Sequence, residues 1–186
     1  MDQRVDRSRT ALKQALFKLL RTRTYTSVTV EEIAQCAGVS RSTFYVHFKD
    51  KDALLSESAS KMTGLMSQLA LEIVPEESLI MALDHFIWAG DAALALMTSE
   101  ARAIIAATLA SQIHSHLRAR GLHRQGRLLV PSPVLSAMLA DAILAGVRMW
   151  MTSSKRLKPA DFANALARQV GGMVKASFAG MVNQGE

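Results

Sequence analysis

The residues best suited to chemistry stand together between Ser40 and Lys51. Arg41 carries a planar guanidinium that can donate two parallel hydrogen bonds to a guanine edge, and Thr43 offers a methyl group to thymine. Ser42, between them, can add a base contact or help cap a helix. Tyr45 and His47 are long enough to donate to phosphates, with Lys49 and Lys51 beside them. Phe44 and Phe48 lie one helical turn apart among these polar residues, so a helix here buries the two phenyl rings and turns the rest outward. A merely solvated basic face would explain the lysines. It would not explain an exposed tyrosine between two buried phenylalanines.

The elements that must position this segment can be read on either side of it. A first helix over about Asp6 to Thr22 gathers Leu12, Ala15, Leu16, Leu19 and Leu20 on one face and bases on the other. Thr29 and Glu32 then stand in the T-x-x-E relation of a capping box, which starts a short second helix carrying Ile33, Ala34 and Ala37 inward. Gly38 can adopt the positive φ that ends a helix and turns the chain, and Ser40 follows as N-cap of the third helix. Two short helices joined by a glycine turn make a helix-turn-helix, whose second member aims its N-terminal residues at base edges in the major groove. The spacing alone fits any helical hairpin, and the surface chemistry of the third helix favours DNA.

Beyond Asp50, which can cap a fourth helix, the chain stays helical. Leu54 to Leu69 keep an apolar stripe going until Pro75, and two further helices run over Glu76 to Thr98 and Ser99 to Arg118. Residues 120–133, with Gly121, Gly126, Pro131 and Pro133, read as a loop or a short irregular helix. The last two helices cover Ser132 to Ser153 and Ala160 to Val182. The expected fold is all-α, with a helix-turn-helix DNA-binding domain at 1–52 and a helical ligand-binding and dimerisation domain at 53–186.

The net charge of +6 is concentrated, because residues 1–52 hold ten Lys/Arg against six Asp/Glu. That distribution fits a polyanionic partner. Other classes find little support. Cys36 is the single cysteine and reads as a small buried hydrophobe; no disulfide can form within the chain. The five histidines show no i,i+4 ligand pairing, so no metal site and no cofactor are expected. No phosphate loop, nucleophile elbow or paired carboxylate suggests an enzyme. The N-terminus lacks a secretory h-region, and Asp84, His85 and Asp91 interrupt the most apolar stretch, so a cytoplasmic protein without a membrane span is expected.

Ile33-Ala34, Ala37-Gly38-Val39-Ser40, Thr43-Phe44-Tyr45, His47-Phe48 and Lys51-Asp52 with Leu55 together closely resemble the DNA-binding domain of the TetR family of repressors. The resemblance implies a homodimeric repressor on a palindromic double-stranded operator, released by a small-molecule effector whose identity it does not give. Phosphate contacts would fall on Thr29, Tyr45, His47 and Lys51, and base contacts on Arg41, Ser42 and Thr43. In such a protein the body encloses a ligand pocket, for which Met62, Met66, Phe86, Trp88, Met97 and Trp150 are the bulky candidates and His85 and Arg148 the polar ones. The last two helices are amphipathic and carry small residues, so they suit a four-helix bundle across a two-fold axis. Two alternatives stay open: a helix-turn-helix regulator controlled by a protein partner, and a helical enzyme or binding protein.

Overall fold

The computed structural model describes residues 3–71, 76–121 and 128–178. Among them the chain forms α1 (Gln3–Leu20), α2 (Val30–Cys36), α3 (Arg41–His47), α4 (Lys51–Ser67), α5 (Glu76–Thr98), α6 (Ala101–Ala119), α7 (Ser132–Thr152) and α8 (Pro159–Ala176). A 3-10 turn, Gln68–Leu71, extends α4. The described residues contain no strand, and one isolated bridge joins Leu128 to Phe178.

The short helices owe their limits to capping chemistry. Thr29 and Glu32 form the expected box: the Thr29 Oγ1 accepts from the Glu32 N–H at 3.2 Å, and the Glu32 carboxylate accepts from the Thr29 N–H at 2.9 Å. At the other end of α2, Gly38 takes φ 68°, the Val39 N–H reaches the Ala34 carbonyl and the Gly38 N–H that of Gln35. This is a Schellman stop, and it is why glycine stands there. The Asp50 carboxylate accepts from the Ala53 N–H at 2.7 Å and so caps α4.

Two helices depart from expectation. α8 stops at Ala176 and not near Val182, because the Ser177 hydroxyl donates back to Met173 and the Ser177 carbonyl accepts from the Leu129 N–H, which draws the chain into the bridge. Val182, Pro75 and His123 lie outside the described residues. α5 is interrupted at Gly90, whose φ of 49° and ψ of −123° are non-helical and suited to glycine. By length and composition α5 and α7 could each cross a membrane, and half of the α7 window is buried.

The chain divides into two compact units, Met1–Ala59 with Ala89–Ile105, and Ser60–Trp88 with Ala106–Glu186. In the first, Leu12, Leu16, Ile33, Phe44, Phe48, Leu54 and Leu55 share a core with Leu96 and Ala101. The reading of the sequence placed no part of 89–105 beside the N-terminal helices. In the second unit Leu109, Ile113 and Leu117 of α6 are fully buried, as are Leu139, Ile143 and Val147 of α7. α8 packs on α7, where Trp150 stacks on Phe162 at 4.8 Å and donates from Nε1 to the Leu157 carbonyl.

Candidate nucleic-acid interface

α3 divides into a buried and a solvent side. Phe44 is wholly buried and Phe48 nearly so, their rings 5.9 Å apart, and they fix the helix onto the core of its unit. Arg41, Ser42 and Tyr45 are exposed, Thr43 and His47 half-buried. Ser40 caps the helix by accepting from the Thr43 N–H at 3.1 Å, and its hydroxyl also meets those of Ser42 (2.7 Å) and Thr43 (2.8 Å). The three hydroxyls therefore form one cluster at the start of the helix. A base contact from Ser42 or Thr43 would have to draw on that cluster.

Each polar side chain around α3 is set by a neighbour. The Arg41 guanidinium lies 5.7 Å from the centre of the Tyr45 ring, which in turn meets Phe44 edge-on at 5.5 Å. Arg41 is thus held above the helix surface by an aromatic shelf. His47 Nε2 is 2.7 Å from the Ser8 hydroxyl of α1, and the Arg9 guanidinium stands 5.5 Å from the Phe48 ring centre. Arg9 and Lys13 both pair with Glu57 of α4. The C-terminal end of α3 is therefore tied to α1, and α1 to α4.

Lys51 was expected on phosphate. Its Nζ donates to the carbonyls of Tyr25 (2.6 Å) and Val28 (2.7 Å) and sits 4.3 Å from the centre of the Tyr25 ring. Burial pushes its pKa below the ordinary lysine value. The Tyr25 hydroxyl donates to Asp52 at 2.5 Å, and this hydroxyl's pKa is raised, by burial first and by the carboxylate second. Together Lys51 and Asp52 tie the segment before α2 to the start of α4. One N–H of the ammonium remains outside this pair of carbonyl bonds.

Thr29 is exposed at the start of α2, its hydroxyl donating to Glu32 at 2.8 Å. Glu32 also accepts from Arg23 at 2.5 Å, and this bond, ahead of those from Thr29, lowers its pKa to about 2. The sign follows directly. A depressed carboxyl contributes stability that is present above its unfolded pKa and is lost as pH falls toward about 2. Acid titration is expected to lower the melting temperature of wild type over that window, while Glu32→Gln, melted over the same series, should show a shallower acid dependence. An identical acid profile would remove Glu32 from this role.

Of the ten basic residues in 1–52, Arg9, Lys13, Arg23 and Lys51 are thus engaged within the protein, and exposed Lys49 pairs with Asp50 at 3.7 Å. Arg41 and Lys49 are the exposed cations on and next to α3. Val46 escaped the reading of the sequence. It is 77% exposed, and its position one turn after Ser42 places it on the outward face, where a branched apolar group suits a thymine methyl. The i,i+4 relation to Ser42 was the available signal.

The candidates for a ligand pocket lie on α4, α5 and α7. Met66 is buried and Met62 half-buried on α4; Phe86 is half-buried, and His85 and Trp88 are exposed on α5. His85 and Trp88 stack on each other at 5.8 Å. Arg148 is half-buried, and Trp150 is engaged by Phe162 and Leu157. Met97 belongs to the other compact unit. Among the described residues no group of His, Cys, Asp and Glu could hold a metal ion.

Residues 13–57 match the family model for bacterial regulatory proteins of the tetR family. No curated protein matches the chain. Among solved structures, a TetR transcriptional regulator from Streptococcus agalactiae 2603V superposes with a TM-score of 0.59 at 21% identity, covering 91% of this chain and 96% of that one. NalD, the secondary repressor of the MexAB-OprM multidrug efflux pump in Pseudomonas aeruginosa, gives 0.54 at 18% identity over 95% and 99% of the two chains. A TetR transcriptional regulator from Rhodococcus sp. RHA1 gives 0.52 at 15% over 96% and 100%. These likenesses are of fold, and the match over α1–α4 adds the DNA-binding domain. The helix-turn-helix built around α3 lies within the residues that the tetR model matches, and it is this N-terminal segment that is similar to the DNA-binding domain of the tetR family of bacterial regulatory proteins.

Proposed function

We propose that the chain is a cytoplasmic, non-enzymatic, ligand-released transcriptional repressor that binds a palindromic operator as a homodimer. The observation that carries this reading is α3, which presents Arg41, Ser42, Tyr45 and Val46 to solvent over a buried Phe44 and Phe48. In this reading Arg41, Ser42 and Thr43 read base edges, and Thr29, Tyr45, His47 and Lys51 meet phosphates. The dimer forms through α7 and α8. Val134, Met138 and Met149 lie exposed along α7, which supports a surface meant for a two-fold mate. The effector binds in the 60–88 and 106–186 unit, with Met62 and Met66 of α4 among its contacts, and favours the conformation with lower operator affinity.

A gel shift against the DNA upstream of its own coding region, run over a range of salt, tests the reading. Retention that weakens with salt and survives random competitor is the expected result, and no salt-dependent binding would exclude a DNA-binding regulator. Lys51→Ala is expected to lose about 1–2 kcal/mol of stability in thermal denaturation, from its two carbonyl bonds. It should also flatten the dependence of log affinity on log salt by about one unit, through the remaining N–H on a phosphate. An unchanged slope would assign Lys51 to architecture alone. A second reading, control by a protein partner, is favoured by the exposed Met81 and Trp88 on α5. Operator release by an extracted small molecule would exclude it.

A further inference from the structure

The second unit contains a polar seam where its apolar packing predicts none. Along α4, Ser60, Thr63, Gly64 and Ser67 fall on one face at helical spacing, and Thr63 and Ser67 are buried. On α6, Gln112 and His116 are one turn apart and face them: Gln112 Nε2 donates to the Ser60 carbonyl at 3.0 Å, and His116 Nδ1 lies 3.3 Å from the Ser67 hydroxyl. Gly64 leaves α4 without a side chain opposite Gln112, since a Cβ there would stand 3.9 Å from Nε2.

Most of this polarity is satisfied locally. The Ser67 hydroxyl donates to the Gly64 carbonyl at 2.7 Å, and Thr63 donates to the Ser60 carbonyl at 3.3 Å. Gln112 Oε1 is the exception. It is buried and has no hydrogen-bond partner among the described residues. The amide orientation is fixed by Nε2, because turning it over would set two oxygens, Oε1 and the Ser60 carbonyl, against each other. A buried acceptor without a protein donor is costly, so Oε1 is the group here that can accept a further hydrogen bond.

We infer that the effector is a neutral molecule with an apolar body and one hydroxyl or N–H, which it donates to Gln112 Oε1 between α4 and α6. The inference rests on the ligand-released reading above and names its chemistry. An anionic head is disfavoured because the waiting group is itself an acceptor. A cationic head finds no carboxylate among Ser60, Thr63, Gly64, Ser67, Gln112 and His116. Occupancy here bears on α4, a single helix from Lys51 to Ser67.

The test uses matched probes that differ in the donor alone: decanol and methyl decyl ether, naphthol and methoxynaphthalene, indole and N-methylindole. Binding to the whole protein is measured by calorimetry, and operator release by gel shift. For at least one pair the donor is expected to bind about ten- to a hundredfold tighter than its methylated partner. That preference should vanish in Gln112→Met, which keeps the side-chain length and removes the acceptor. A crystal structure with the tighter probe should place its oxygen or nitrogen within hydrogen-bond distance of Oε1, and this readout decides the matter if the variant does not fold. Equal binding within every pair, a preference retained in Gln112→Met, or an ordered water alone at Oε1 would each overturn the inference. Loss of operator binding in the absence of any probe would instead count against the regulator reading, which the calorimetry does not depend on.

Discussion

Phe44→Ala is expected to destabilise the first unit by about 3–5 kcal/mol, the cost of emptying a site that a large aromatic fills completely. Phe44 has no exposed surface, meets Tyr45 edge-on at 5.5 Å and Phe48 at 5.9 Å, and belongs to the core that joins α1 to α4. The loss is a large share of the stability an ordinary domain possesses. Denaturant titration followed by circular dichroism should show the unfolding midpoint displaced. DNA binding should be lost in proportion to the unfolded fraction and recover on cooling where refolding recovers. Phe44→Leu, which keeps most of the volume, should cost much less. If Phe44→Ala instead left the midpoint within about 1 kcal/mol of wild type and still abolished DNA binding, Phe44 would have to touch the duplex, and the two-sided description of α3 would be wrong.

Much of this unit is legible in the chain because its instructions are local. Thr29 and Glu32 specify a start, Gly38 a stop, Ser40 a new start and Asp50 another, each through bonds to backbone groups within a few residues. The 44/48 spacing likewise separates the inner from the outer side of α3. What the chain does not announce is tertiary. That Leu96 and Ala101 complete the N-terminal core depends on the path of α5 and α6, and no periodicity encodes it. The engagement of Lys51 by two carbonyls is of the same kind: its charge is legible, its partners more than twenty residues away are not. Large apolar side chains mark packing or exposure as readily as they would mark a ligand site. Trp150 is bulky because it fills the α7–α8 contact, and Trp88 is 83% exposed. The distinctive group in that unit is a glutamine oxygen, which composition and hydropathy cannot pick out.

The engagement of basic residues also changes what salt dependence should report. Counterion release scales with the phosphates neutralised, and cations already paired within the protein contribute less than exposed ones. Arg9 and Lys13 share Glu57, whose pKa is lowered chiefly by the bond from Arg9, and Arg23 is held by Glu32. Salt-sensitive affinity should therefore depend more on Arg41 than on Arg9, Lys13 and Arg23. The ten bases of the N-terminal segment overstate its phosphate contacts.

Arg41→Ala is the second substitution expected to have a large effect, and it should act on recognition and leave folding alone. The guanidinium is exposed, so its removal disturbs no core; what it loses is the fork held over the Tyr45 ring. A bidentate arginine on guanine discriminates by about 1–3 kcal/mol, so each subunit should lose roughly five- to a hundredfold in operator affinity. Preference at one base pair of each half-site should relax with it. Random DNA should be affected far less, since one charge among several contributes there. Arg41→Lys keeps the charge and loses the fork, so it should retain non-specific affinity and still lose the base preference. Tyr45→Phe removes the hydroxyl and keeps the shelf, and should cost less than either. Quantitative gel shifts on operator and scrambled DNA at one fixed salt concentration separate these effects. Equal losses on the two DNAs for Arg41→Ala would make Arg41 a phosphate contact, and direct reading would then have to come from Ser42, Thr43 and Val46.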